Sequence, residues 1–97
     1  MPSIDKPLAL RKRAILWRAR HRGMKETDIL FGRLAGEVLE HLDEAGVAAF
    51  EALLEVPDTE VVSWMSGASP VPEEYRGPLT DRLLSYRFDT DSYGENG

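Results

Sequence analysis

A helical apolar rhythm that restarts four times, and never gives way to strand alternation, sets the tightest limit on what this chain can fold into. Leu10, Ala14, Trp17 and His21 recur at i, i+4, i+7 and i+11, the spacing of one helix face, while Arg11, Lys12, Arg13, Arg18 and Arg20 occupy the others. Pro7 suits the first helical position, with Asp5 upstream as a cap, and Gly23 supplies the stop. A second rhythm opens near Lys25 and runs through Leu30, Phe31, Leu34, Ala35, Val38 and Leu42. Asp43 caps a third, with Val47, Phe50 and Leu54 on one face. Pro57 ends it and Asp58 caps a fourth, in which Val61, Trp64 and Met65 face inward and Gly67 marks the stop. After the turn-rich GASPVPEEYRGP, Pro78 starts a last helix carrying Leu79, Leu83, Leu84 and Phe88. The expected fold is all-α: a compact bundle of four to five short antiparallel helices.

Ninety-seven residues suffice for one domain, placed here at residues 1–88, with the polar, acidic stretch 89–97 expected to be a disordered tail. The absence of cysteine removes disulfides, thiolate metal sites and thiol nucleophiles. No apolar run reaches the ~20 residues of a membrane span. The basic start lacks an uninterrupted apolar core and a small-residue cleavage site, and its helix pattern runs straight into the fold. No removable targeting segment is expected, and a cytoplasmic placement follows.

The net charge of −5 conceals a division: residues 1–33 carry nine Lys/Arg against three Asp/Glu, and residues 34–97 carry three against fourteen. Such a surface is dipolar and steers association. The basic helix is either simply solvated or a patch facing a partner. A sequence pI near 5.0 speaks against a general nucleic-acid surface.

Candidate chemistry is sparse. Glu37 and His41 share a helix face with Glu40 and Glu44 near, but a carboxylate-bridged metal bundle needs Glu three residues before His, and Val38 stands there. No metal site, catalytic residue or dinucleotide fingerprint is expected. None of the serines lies in a G-x-S-x-G context. Gly32 and Gly36 are read as a close-approach face for a neighbouring helix. His21, ending its stripe, reads as a packed and hydrogen-bonded side chain.

The densest charge cluster is RHRGMKETD, residues 20–28, at the corner between the first two helices. Ordinary local physics gives Gly23 a capping role, Glu26 a favourable place beside the second helix's free amides, and Arg22 a place at the preceding helix's carbonyl ends. A recognition role is the other possibility: glycine permits close backbone approach, with a donor and an acceptor at fixed spacing on either side.

Arg22-Gly23-Met24-Lys25-Glu26 carries the pattern RGxxE, and ILWRARHRGMKETDILFGRLA, LDEAGVAAFEALLEVPD, VVSWMSG and PVPEEY follow in order over residues 10–88. Together they resemble bacterial members of the FAD assembly factor family of succinate dehydrogenase. The resemblance implies a small helical protein, not an enzyme, that promotes covalent attachment of FAD to the flavoprotein subunit of succinate dehydrogenase and, in bacteria, also of fumarate reductase. It implies that the flavin joins a histidine of that partner, neither His21 nor His41, and that the factor holds no cofactor stably. Arg22, Gly23 and Glu26 are the partner-binding residues it implies, with Arg20, His21, Met24, Lys25 and Asp28 as further contacts. A chain monomeric when free is expected, acting by holding bound FAD and acceptor histidine in alignment. The rival from another class is an antitoxin-type binding module of a toxin–antitoxin pair. An enzyme with an unrecognised site would need a sizeable concave pocket.

Overall fold

The computed structural model describes residues 7–86. Within them lie five α-helices and no strand: α1 (Leu8–Arg20), α2 (Lys25–Val38), α3 (Glu44–Leu54), α4 (Asp58–Ser66) and α5, at residues 78–86. Short 3-10 turns at Leu39–His41 and Glu73–Tyr75 precede α3 and α5. The expectations for Asp5, Phe88 and the tail 89–97 fall outside the described residues.

Asp43 and Gly67 punctuate the helices as expected, whereas Pro7 is the N-cap of α1 rather than its first residue, and α1 ends at the C-cap His21, two residues before Gly23. The Asp43 carboxylate accepts from the Gly46 amide at 2.9 Å, capping α3. Gly67 ends α4 at φ +82°, where a left-handed residue lets the Gly67 and Ala68 amides reach back to the Ser63 and Trp64 carbonyls. Asp58 departs from expectation. Pro57 holds the N-cap position, and Asp58 is the first residue of α4 with its side chain engaged elsewhere.

One core joins all five helices. Ile15, Phe31, Leu34, Val47, Phe50, Leu53, Val61 and Leu83 are essentially inaccessible to solvent. The α2, α3 and α4 stripes read from the sequence point inward: Leu30, Phe31, Leu34, Ala35, Val47, Phe50, Leu54, Val61 and Trp64 are buried, and Val38, Leu42 and Met65 pack against them. Deletion of a core side chain of this size costs ~2–5 kcal/mol.

The α1 expectation had the right period and the wrong phase. Leu10 and Trp17 are 50% and 63% exposed, and Ala14 and His21 also face solvent. The buried face carries Arg11, Ile15 and Ala19, with Leu8 and Leu16 packed at its margin. At about 100° per residue it lies about 130° round the helix from the expected stripe. Both faces have helical spacing, and the one turned inward carries a charged residue, Arg11. Its guanidinium, 7% exposed, donates from Nε and Nη2 to Glu51 at 3.1 and 2.7 Å, and from Nη1 to Glu44. These bonds, Glu51's first, raise its pKa above the ordinary arginine value, so it enters the α1–α3 interface as a neutralised ion rather than a bare charge.

The charge division in the sequence is therefore partly consumed inside the fold. Arg11 meets Glu44 and Glu51, Arg18 meets Glu55 at 2.6 Å, and Arg22 meets Asp58 at 2.7 Å, so α1 and the corner after it pair with the α3–α4 side.

Glu37 does not lie with His41 on a continuous helix, because α2 ends at Val38 and His41 sits in the 3-10 turn. The Glu37 carboxylate accepts from the Tyr86 hydroxyl at 2.6 Å, Arg82 Nε at 3.1 Å and Arg33 Nε at 3.2 Å, tying α5 to α2. Those donors, Tyr86 foremost, lower its pKa from 4.5 to about 2. A Cβ on Gly32 would stand 3.4 Å from the stem of Arg20 at the end of α1, whereas Gly36 has open space where a Cβ would stand, so a neighbouring helix approaches the expected face at Gly32 and not at Gly36.

Candidate functional site

The corner between α1 and α2 is built from both ends. α1 leaves its last carbonyls without helical partners. His21, its C-cap, donates its amide to the Arg18 carbonyl and its ring Nδ1–H to the Trp17 carbonyl at 2.6 Å. A carbonyl only accepts, so the proton belongs on Nδ1. The ring stacks on Trp17 with centroids 4.1 Å apart and planes 13° apart. His21 is thus hydrogen-bonded, as expected, but exposed rather than packed in the core.

Gly23 adopts φ +116°, a region L side chains rarely enter. No atom lies within 4 Å of where its Cβ would stand, so its outer face is open backbone. Asp28, one turn into α2, fixes this bend from below. Its Oδ1 accepts from the Arg22 amide at 2.6 Å and the Gly23 amide at 3.3 Å. Buried Thr27 donates its hydroxyl to the Met24 carbonyl at 3.1 Å, closing the first turn of α2.

Arg22 turns inward. Its Nε donates to Asp58 at 2.7 Å, Nη1 to the Leu54 carbonyl at 2.9 Å and Nη2 to the Val56 carbonyl, and the guanidinium lies 4.2 Å from the Phe31 ring centre. The side chain is 7% exposed. Arg22 does cap carbonyl ends, but those after α3 rather than those of the preceding helix. One side chain thus locks the α1–α2 corner to the α3–α4 corner.

The rest of the cluster points outward. Arg20, Lys25 and Glu26 are exposed, and none of the three makes an ion pair among the described residues. Met24 is half-buried at the N-cap of α2, and Glu26 lies in the first turn, where negative charge suits the free amides. An open cleft of about 330 Å³ runs beside the corner, lined by Trp17, Arg18, His21, Arg22, Leu54 and Asp58. Its floor is the Arg22–Asp58 pair, already mutually satisfied. Among the described residues no cluster of three His, Asp or Glu is placed to hold a metal. No helix there is long and apolar enough to cross a membrane.

Sequence reasoning found every residue of the corner but missed Asp58 as the partner of Arg22. Thirty-six residues separate the two, and no local spacing links them.

The chain is a helical module whose glycine corner is fastened from within and leaves an acid, a lysine and bare backbone to solvent. The family described as flavinator of succinate dehydrogenase matches residues 13–87, and the chain belongs to that family. It is 38% identical to an FAD assembly factor of Acetobacter pasteurianus over 77 residues, covering 79% of this chain and 71% of that protein. It is 32% identical to the mitochondrial succinate dehydrogenase assembly factor 2 of Culex quinquefasciatus over 84% of this chain, and 31% identical to that of Dictyostelium discoideum over 88%. The chain spans 53% and 59% of the length of these two mitochondrial relatives. Nothing in these likenesses supports an antitoxin.

Proposed function

We propose that this protein is an assembly factor that binds the flavoprotein subunit of succinate dehydrogenase and promotes covalent attachment of FAD to it. What carries the proposal is the family match over residues 13–87, which takes in the whole corner and nearly all of the described fold. The factor works without catalytic residues or a bound cofactor of its own. It holds the flavoprotein so that bound FAD and an acceptor histidine of that subunit stay aligned, and such positioning removes a large entropic part of a barrier. Gly23 allows the partner's backbone to come close, Glu26 and Lys25 supply polar contacts, and Met24, His21 and Arg20 border them. Arg22 and Asp28 act beneath that surface as positioning residues, since their polar atoms are engaged within the fold. The flavoprotein of fumarate reductase is a second client, the free factor is a monomer, and its compartment is the cytoplasm.

The test is deletion of the gene followed by denaturing gel electrophoresis of the flavoprotein subunit with in-gel flavin fluorescence. Covalent flavin falls sharply on deletion and returns with the wild-type gene but not with Glu26→Ala. Undiminished fluorescence after deletion overturns the proposal.

A further inference from the structure

The Leu10, Ala14, Trp17 and His21 stripe, which helical spacing assigned to the core, is the largest feature of the sequence that the fold does not absorb. It lies along the outside of α1, with Trp17 63% and Leu10 50% exposed. A tryptophan left in water forgoes the apolar burial that a core position would give. Trp17 is also held in place, its ring stacked on His21 and His21 bonded to the Trp17 carbonyl. Little conformational freedom is left to lose on contact, which favours it as an anchor.

The stripe is continuous with the corner. His21 ends it and leads directly to Gly23, and Trp17 and His21 also wall the cleft that Arg22 and Asp58 floor. One edge is cationic. Arg13 and Arg20 are exposed, seven residues apart and so about 10 Å apart along one side of α1. Neither makes an ion pair among the described residues, whereas Arg11, Arg18 and Arg22 are paired internally.

We propose that the Leu10–Ala14–Trp17–His21 face of α1 extends the Gly23 corner into one docking edge, which takes an acidic segment of the flavoprotein partner with an apolar residue set against Trp17. Arg13 and Arg20 meet the carboxylates of that segment and steer its approach, while Trp17 supplies the residence time. The inference rests on the flavoprotein as partner and extends the contact about three helical turns beyond the corner.

Titration calorimetry with the cognate flavoprotein subunit tests it. Trp17→Ala weakens Kd tenfold or more, Trp17→Phe restores most of that loss, and both keep the wild-type circular dichroism and melting curve. Arg13→Glu with Arg20→Glu also weakens binding, and flattens the loss of affinity that the wild type shows as salt rises. Wild-type Kd in Trp17→Ala and in the charge-reversed variant, alongside lost binding in Glu26→Ala, overturns the edge and leaves the corner standing. Wild-type Kd in all three overturns both. If sedimentation shows a dimer of the free chain that Trp17→Ala dissociates, with flavoprotein affinity unchanged, the stripe belongs to a second copy and the inference fails.

Discussion

Arg22 and Asp58, thirty-six residues apart, form a nearly buried ion pair with Nε 2.7 Å from Oδ1 and side chains 7% and 16% exposed. The same guanidinium holds the Leu54 and Val56 carbonyls and covers Phe31. Arg22 therefore braces the corner from inside, and the groups the corner leaves exposed are Glu26, Lys25 and the Gly23 backbone.

Removing either member of this pair strands a charge with little water. Arg22→Ala is expected to destabilise the fold by ~3–5 kcal/mol, a large share of a domain's total. Arg22→Lys keeps the charge but loses the forked donors and recovers only part of the loss. Urea unfolding of the single variants and of Arg22→Ala with Asp58→Ala checks this. Additive losses would show that the pair does not couple.

Glu26 should behave oppositely. As an exposed first-turn acid it contributes ~0.3–1 kcal/mol, so Glu26→Ala melts within a few degrees of wild type. Flavoprotein binding and covalent flavin yield nevertheless fall. A variant that unfolds as readily as Arg22→Ala would remove the distinction between brace and contact.

Gly23 and Gly36 both have open space where a Cβ would go, but only Gly23 has positive φ. Gly23→Ala is expected to cost ~1–2 kcal/mol through backbone strain alone. Gly36→Ala, inside α2, should stabilise by ~0.5–1 kcal/mol. Opposite shifts in midpoint on thermal melting are the expected outcome.

The Glu37 cluster gives acid sensitivity. Its carboxyl pKa is about 2 in the fold against 4.5 as the ordinary value, so the unfolded chain binds more protons between those limits. Stability from this group is complete above pH 4.5 and is lost as pH falls towards 2. Glu37→Gln should lower stability at neutral pH and flatten its fall below pH 4.5, as read from urea midpoints across pH 2–6.

Much of this molecule can be read along the chain. Asp43 and Gly67 end or begin helices by local hydrogen bonding, so a sequence-local signal suffices for each. The α2, α3 and α4 stripes have one apolar face each, and burial follows. α1 has two, separated by arginines, and periodicity cannot rank them. Leu10 and Trp17 supply more apolar area than Ala19, yet they lie outside.

By itself the sequence determined the helical class, the helix ends at Asp43 and Gly67, the family and the membership of the corner cluster, because each rests on residues close in the chain or on ordered blocks of it. Tertiary structure alone decided which face of α1 is buried, and that Arg22 points inward while Glu26 points out. Those outcomes depend on where Glu44, Glu51, Leu54, Val56 and Asp58 arrive in space. A charged side chain enters a core only where such partners already stand to neutralise it.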